Sequence, residues 1–284
     1  MTLNRRNLLQ LSAAGAVAAA AGGRFAWAAT DAERAIAENA AAYFAGLGYK
    51  SVPPLDLITG DAFNSGLRFD ESDSVSSDGP TMRLQTAARV EDIPERDRAG
   101  VLAAFDIIGL GHPEPEDDTI LPAVLRFLID ERGLDPAKML MVSTEEFRPH
   151  LDDLDGFDAN RFLERPLAEA RTMGDGSGYF APSGHPAGPA IASVGLYYPV
   201  PGTEPGGDPI YPPPDHIEIA EIGIARDAAG YTAAGLGLQR LAMAEGNPVP
   251  DFDETRLNLL RLLEDESERT GKPLPDGYTQ FASL

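Results

Sequence analysis

The sequence predicts an α+β fold, a mainly antiparallel sheet flanked by helices. Three observations lead there. Strand-like runs outnumber long helices in the middle of the chain. Helical periodicity gathers toward the two ends. No internal repeat and no linker-like stretch divides the sequence, so it reads as one domain.

Taken in order, Thr30 or Asp31 caps a helix over 32–46, with Gly46 and Gly48 as stop signals. Val52-Pro53-Pro54 is extended, because a residue before proline is pushed out of the helical region. Residues 67–69 form a short strand, and 70–80 are a Ser/Asp/Gly/Pro loop. Residues 82–90 and 101–110 are strands, with Phe105, Ile107 and Ile108 in the core. Asp117 or Asp118 caps a helix reaching Arg132, and Gly133 ends it. A buried strand follows over 138–142, then helical or irregular segments over 147–154 and 159–171. Residues 173–189 are a Gly/Pro loop, 190–198 a strand and 199–215 a long proline-rich loop. The strand over 216–226 changes parity: Ile217 and Ile219 share one face, Ile222 and Ile224 the other. Burial on both faces or a bulge accounts for that. Residues 235–245 begin extended and turn helical. The clearest helix is 253–270, where Leu257, Leu260 and Leu263 repeat beside Leu259 and Leu262.

The first residues read as an export signal. Arg5-Arg6 precede an Ala-rich, weakly apolar run over 11–21, and Ala26-Trp27-Ala28 offers a cleavage site before Ala29. Paired arginines in that setting mark the twin-arginine route, which carries folded proteins. Arg24 near the cleavage site favours that route over the unfolded-chain one. The expectation is a periplasmic or secreted domain over 29–284. The apolar run is too short to span a bilayer.

The chain has 45 acidic and 23 basic residues, a formal charge of −22. Without Arg5, Arg6 and Arg24 the balance is 20 against 45, or −25. Such a surface repels phosphate backbones, so no tRNA or other nucleic acid is expected as a partner. With no cysteine there is no disulfide, thiolate metal site or thiol nucleophile. The four histidines are scattered without metal-ligand spacing, and no metal site is expected. Ser177 and Ser183 lack a nucleophile elbow, and the glycines of 174–178 lack the Lys-Ser/Thr of a phosphate loop.

Several segments, in one order over 35–262, carry a resemblance. These are Tyr43-Phe44-Ala45-Gly46-Leu47-Gly48-Tyr49 with Val52-Pro53-Pro54, Ala104-Phe105-Asp106-Ile107-Ile108-Gly109, the helix 120–132 with Gly133-Leu134-Asp135-Pro136 and the strand 138–142, His216-Ile217-Glu218-Ile219-Ala220-Glu221, and Gly235-Leu236-Gly237-Leu238-Gln239-Arg240-Leu241-Ala242. Together they resemble the catalytic core of alanyl-tRNA synthetases, a class II aminoacyl-tRNA synthetase fold. The resemblance implies a pocket for an amino acid and, if the chemistry is retained, ATP and Mg²⁺.

It also implies roles. Arg240 resembles the arginine at the γ-phosphate, after Gly235 and Gly237, which let backbone approach a ligand. The family's second-motif arginine falls at Gly100, with Arg98 and Arg89 as the nearest substitutes. Asp106 stands for a glutamate, and Glu218 is retained. Ala233 replaces the aspartate that grips the ammonium group, Ala220 the pocket tryptophan and Glu221 the asparagine. Pro186-Ala187-Gly188-Pro189-Ala190 resembles a Gly-Pro-Cys loop without its cysteines. Tyr197-Tyr198 is a ligand wall or core.

Polar anchors have thus become alanine or glycine. The leading expectation is an exported, degenerate core that binds a small amino-acid-like or nucleotide-like ligand, or a protein partner. The alternative is an ATP-dependent ligase that aminoacylates a non-tRNA acceptor. A third class is a hydrolase or metal-assisted enzyme using Glu218, Glu221, Asp106 and His216. Arg98 and Glu221 facing each other across one empty cavity, in the places of the absent groups, would overturn the inactive reading.

Overall fold

The computed structural model describes residues 30–59, 62–63, 78–113, 119–151, 154, 161–180, 191–203, 210–224, 232–248 and 250–284. The export signal, the strand at 67–69, the Asp117/Asp118 cap and the Pro186–Ala190 loop lie outside them.

Helix α1 (Asp31–Gly46) starts at a capping box: Glu33 N–H donates to Thr30 Oγ1 at 3.2 Å, and Thr30 N–H to Glu33 Oε2 at 2.6 Å. Strand β1 (Lys50–Ser51) follows, then the small hairpin β2 (Ile58–Thr59) and β3 (Ala62–Phe63). Strands β4 (Thr81–Ala88) and β5 (Ala104–His112) form a long antiparallel pair. The second starts three residues later than expected, because Gly100 at φ +78° turns the chain first. Helix α2 (Ile120–Arg126) widens into a π-turn over Phe127–Glu131, so the expected single helix to Arg132 is two pieces, closed by Gly133.

Strand β6 (Leu140–Ser143) begins two residues late, after a 3₁₀ turn over Pro136–Lys138 that Asp135 caps. Where a helical or irregular segment is expected over 159–171, β7 (Phe162–Glu164) is a strand, and α3 (Leu167–Met173) is a helix running two residues further. Three residues of edge strand carry too little alternation to be seen in sequence. The chain continues through β8 (Tyr179–Phe180), β9 (Ile191–Pro199), β10 (His216–Ile224) and β11 (Thr232–Gly237), which runs directly into α4 (Leu238–Ala244). Helix α5 (Phe252–Thr270) has a second capping box, from Asp251 and Glu254, and stops at Gly271; α6 (Tyr278–Ala282) ends the chain.

Among the described residues nine strands share one sheet in the order β1-β4-β5-β11-β10-β9-β6-β7, with β8 on β9. Only β1/β4 and β6/β7 pair in parallel. The fold is therefore α+β, with an antiparallel-dominated sheet and flanking helices. One face of the sheet carries Ile108, Leu110, Val194, Leu196, Ile222 and Leu236 against Phe44 of α1, Phe127 and Leu241 of α4, all buried. Each such side chain contributes about 1.5–3 kcal/mol by leaving water. A second cluster seats Leu259 and Leu263 of α5 on Ala88 and Ala104, at one end of the β4–β5 pair. No helix of the described residues is long and apolar enough to cross a membrane.

Candidate ligand-binding site

Opposite the main core, β10 and β11 present glutamates and glycines beside Phe105 and Ile107 of β5, and a cavity of about 460 Å³ opens there. That size suits a small organic molecule. Three strands make its floor: Phe105 and Ile107 from β5, Gly235 and Gly237 from β11, and Glu218 and Glu221 from β10.

The two glutamates meet because of a bulge. Spaced three apart on a regular strand, they would point to opposite faces. Strand β10 slips register between Glu218 and Ala220, leaving Ile219 as the extra residue. Glu218 then partners Tyr197, and Glu221 partners Gly195, two residues apart on β9 and hence on one face. The same slip puts Ala220, Ile222 and Ile224 together on the core side, opposite Leu196, Val194 and Ala192. This is the origin of the parity change in the sequence.

Burial raises the Glu218 carboxyl above its ordinary value against the opposing pull of Arg240 and Arg89. Burial, then the charge of Glu218, pushes Glu221 up to about 8. Glu218 Oε1 is buried with no hydrogen-bond partner among the described residues. Glu221 lies against Gly176, where a Cβ would collide with its carboxylate, and φ is +95°.

Arg240 is fully engaged. Its Nε donates to the Gly100 carbonyl at 3.0 Å, Nη1 lies 3.4 Å from Glu218 Oε2 and Nη2 3.8 Å from Asp92 Oδ2. Its guanidinium carbon sits 4.4 Å over the Phe105 ring. Burial lowers its pKa. Gly100 cannot carry a side chain here, because its Cβ would run into Ile217 Cγ2. The position where the resemblance puts an arginine thus serves through its carbonyl. Arg89 is tied to Asp92 at 3.0 and 3.1 Å. Arg98, at the rim, pairs with Glu95 and is one-third exposed.

The far wall is a loop from α3 to β8. Buried Arg165 donates to Asp175 Oδ1 at 2.7 Å and to the Ser177 carbonyl at 2.8 Å, and lies 3.6 Å over the Tyr211 ring. Ser177 Oγ and Tyr197 Oη are 2.7 Å apart. Burial holds both phenols, Tyr197 and Tyr211, well above their ordinary pKa. At the start of β10, His216 Nδ1 is 2.8 Å from Asp215 Oδ1, while its buried Nε2 has no partner among the described residues.

Arg89, Arg98, Glu218, Glu221, Gly235, Gly237 and Arg240 all line this one cavity. Asp106 does not. It alternates with Phe105 and Ile107, so it faces the other side of the sheet. There Thr86 Oγ1 donates to it at 2.8 Å and Gln239 Nε2 at 3.3 Å. It anchors α4 to β5, and the expected set of Glu218, Glu221, Asp106 and His216 is not assembled. Ala233 is buried two residues beyond Gly235, opposite Gly111 and Gly223, outside the cavity wall. Sequence reading missed Asp92, Asp175 and Tyr211, which arrive from loops. Tyr211 stands in a proline-rich run that carries no periodic signal. Among the described residues no cluster of three side chains is placed to hold a metal ion.

A scan against protein-family models and a search of curated proteins return no match. Among solved structures, the histidyl-tRNA synthetase of S. aureus is similar at a TM-score of 0.37 and 13% identity, over 82% of this chain and 78% of that one. The aspartyl-tRNA synthetase of Entamoeba histolytica gives 0.37 and 9%, over 90% and 62%. The asparaginyl-tRNA synthetase of Entamoeba histolytica in complex with asparaginyl-adenylate gives 0.36 and 11%, over 76% and 63%. The chain spans less than two-thirds of the length of the last two.

Proposed function

We propose that this chain is a binding protein for a small amino-acid-like ligand, on a class II synthetase-like scaffold that no longer activates amino acids. The ligand's ammonium group sits against Glu221 and Glu218, and its carboxylate turns toward rim Arg98. The scaffold reading rests on the ordered segment resemblance, whose pieces fall on α1, β5, α2, β6, β10 and the β11–α4 junction. Export to the periplasm or beyond is part of the proposal, supported by Arg5-Arg6, the Ala-rich run and Ala26-Trp27-Ala28.

One observation carries the ligand assignment. Glu221 makes no ion pair or hydrogen bond among the described residues, yet it stands half-buried beside Glu218 on the cavity wall. Two adjacent carboxylates in a poorly solvated site favour a cation between them. An ammonium ion supplies the charge and three donors.

ATP with Mg²⁺ does not fit the residues present. Stacking a base between Phe105 and Arg240 needs about 3.5 Å on each side, and the two groups are 4.4 Å apart. The charge of Arg240 is taken by Glu218 and Asp92. The carboxylates around the cavity repel a polyphosphate.

A thermal-shift screen with amino acids, simple amines, aminoacyl-adenylate analogues and nucleotides tests this. Ligand at a hundredfold excess over Kd stabilises by about 2.7 kcal/mol. Amines and amino acids should raise the melting temperature and ATP should not; ATP alone raising it would sink the proposal.

The second reading is an ATP-dependent amino-acid ligase acting on a non-tRNA acceptor. The observation in its favour is that Arg98 and Glu221 line one cavity. Amino-acid-dependent exchange of pyrophosphate into ATP would establish it and end the first reading.

A further inference from the structure

The cavity asks for more than one cationic group. Asp92, Glu95, Asp175, Glu218 and Glu221 line it against the three guanidiniums of Arg89, Arg98 and Arg240. The wall is therefore two negative charges in excess when all are ionised. Arg165 behind it pairs with Asp175 at 2.7 Å and reaches half-exposed Glu169 as well, so at least one negative charge stays in excess.

The unpartnered atoms have one character. Of the buried side-chain polar atoms without a partner, two belong to cavity-lining residues: Glu218 Oε1 and His216 Nε2. With Nδ1 donating to the Asp215 carboxylate, Nε2 is an acceptor whenever the ring carries a single proton. His216 is 6% exposed, so water does not serve it freely. Both atoms, and the unpaired Glu221 carboxylate, call for N–H donors. Their spacing is set by the sheet. Glu218 and Glu221 face positions two residues apart on β9, about 7 Å along the strand. His216 stands further along the same strand, on the Glu218 side of the cavity.

We propose that the preferred ligand carries two cationic nitrogen groups on a short alkyl chain, one at Glu221 and the other near Glu218 Oε1 and His216 Nε2. This rests on the amine-binding reading above. The class comprises basic amino acids and α,ω-diamines. A divalent metal ion would meet the charge, but the described residues form no metal-ligand cluster. An alkyl chain between the two ends would lie over Gly235 and Gly237, which leave the floor clear of side chains.

Isothermal titration with matched pairs tests it. Ornithine differs from norvaline, and 1,4-diaminobutane from butylamine, chiefly by the terminal nitrogen. The dications should bind at least tenfold more tightly than their partners. Glu218→Gln should cut that advantage to less than threefold, with circular dichroism confirming the fold. His216→Gln is the second variant and should act in the same direction. Norvaline and butylamine binding as tightly as the dications would overturn the inference and leave the amine reading standing. Failure of all four to bind would remove both. Tighter binding of Mg²⁺ alone, displaced by none of them, would also overturn it.

Discussion

At the scale of the residue, the site is governed by who neutralises whom. Arg240 is shared by Glu218 and Asp92, and Glu221 is left over. Its carboxyl ionises near 4.5 in the unfolded chain and near 8 in the folded one. Between those values the native state holds the extra proton, so stability is fullest below about pH 4.5 and is lost as pH rises toward 8. Urea melts at pH 5 and pH 8 should show Glu221→Gln flattening this dependence and gaining on the order of 3 kcal/mol at pH 8 relative to the parent. An unchanged slope would mean that Glu221 is not the group responsible. Arg240→Ala removes the ring contact and the Gly100 hydrogen bond, and should cost about 2–4 kcal/mol. It also removes a cation that competes for Glu218, so amine binding should persist or tighten in calorimetry. Loss of all ligand binding in that variant would support the ligase reading instead.

At the scale of the element, one inserted residue makes the site. Deleting Ile219 would restore a regular β10, sending either Glu221 into the core or Glu218 and its neighbours out of register. A charge stranded in the core costs several kcal/mol. The deletion should therefore abolish soluble folded protein, whereas Ile219→Ala, which keeps the residue count, should fold with a loss of about 2–5 kcal/mol. Equal stability of the two variants, read from thermal melts, would show the bulge to be dispensable. This element was partly legible in sequence, since the parity shift between Ile219 and Ile222 called for either a bulge or a strand buried on both faces. The cap of α1 and the descent of β11 into α4 were legible too, because Thr30 or Asp31 before the helix and the Gly-x-Gly before Leu238 are local signals. Strand β7 was not, because pairing with β6 rather than its own pattern makes it a strand. Asp106 was misjudged for a related reason: strand parity relative to the cavity is fixed by neighbours, not by the residue.

At the scale of the molecule, the sheet divides two environments. Apolar side chains seal one face under α1, α2 and α4, and the other face sets the charged groups of the cavity between two smaller apolar clusters, Phe105 with Ile107 and Leu140 with Val142 and Tyr197. The strands supply the floor, and loops 89–101, 174–178 and 210–216 supply the walls. The strand-borne members, Glu218, Glu221, Gly235 and Gly237, are ones the sequence resemblance also singles out, while Asp92, Asp175 and Tyr211 come together only through long-range packing. The account turns on a proton as much as on a contact. Near pH 7 Glu221 holds its proton, and an ammonium group arriving beside it makes the ionised form favourable again. Titration calorimetry with ornithine at pH 7, repeated in buffers of different ionisation enthalpy, counts the protons exchanged. The account predicts close to one proton released per ligand bound, lost in Glu221→Gln; binding with no proton released, or release undiminished in that variant, would contradict it.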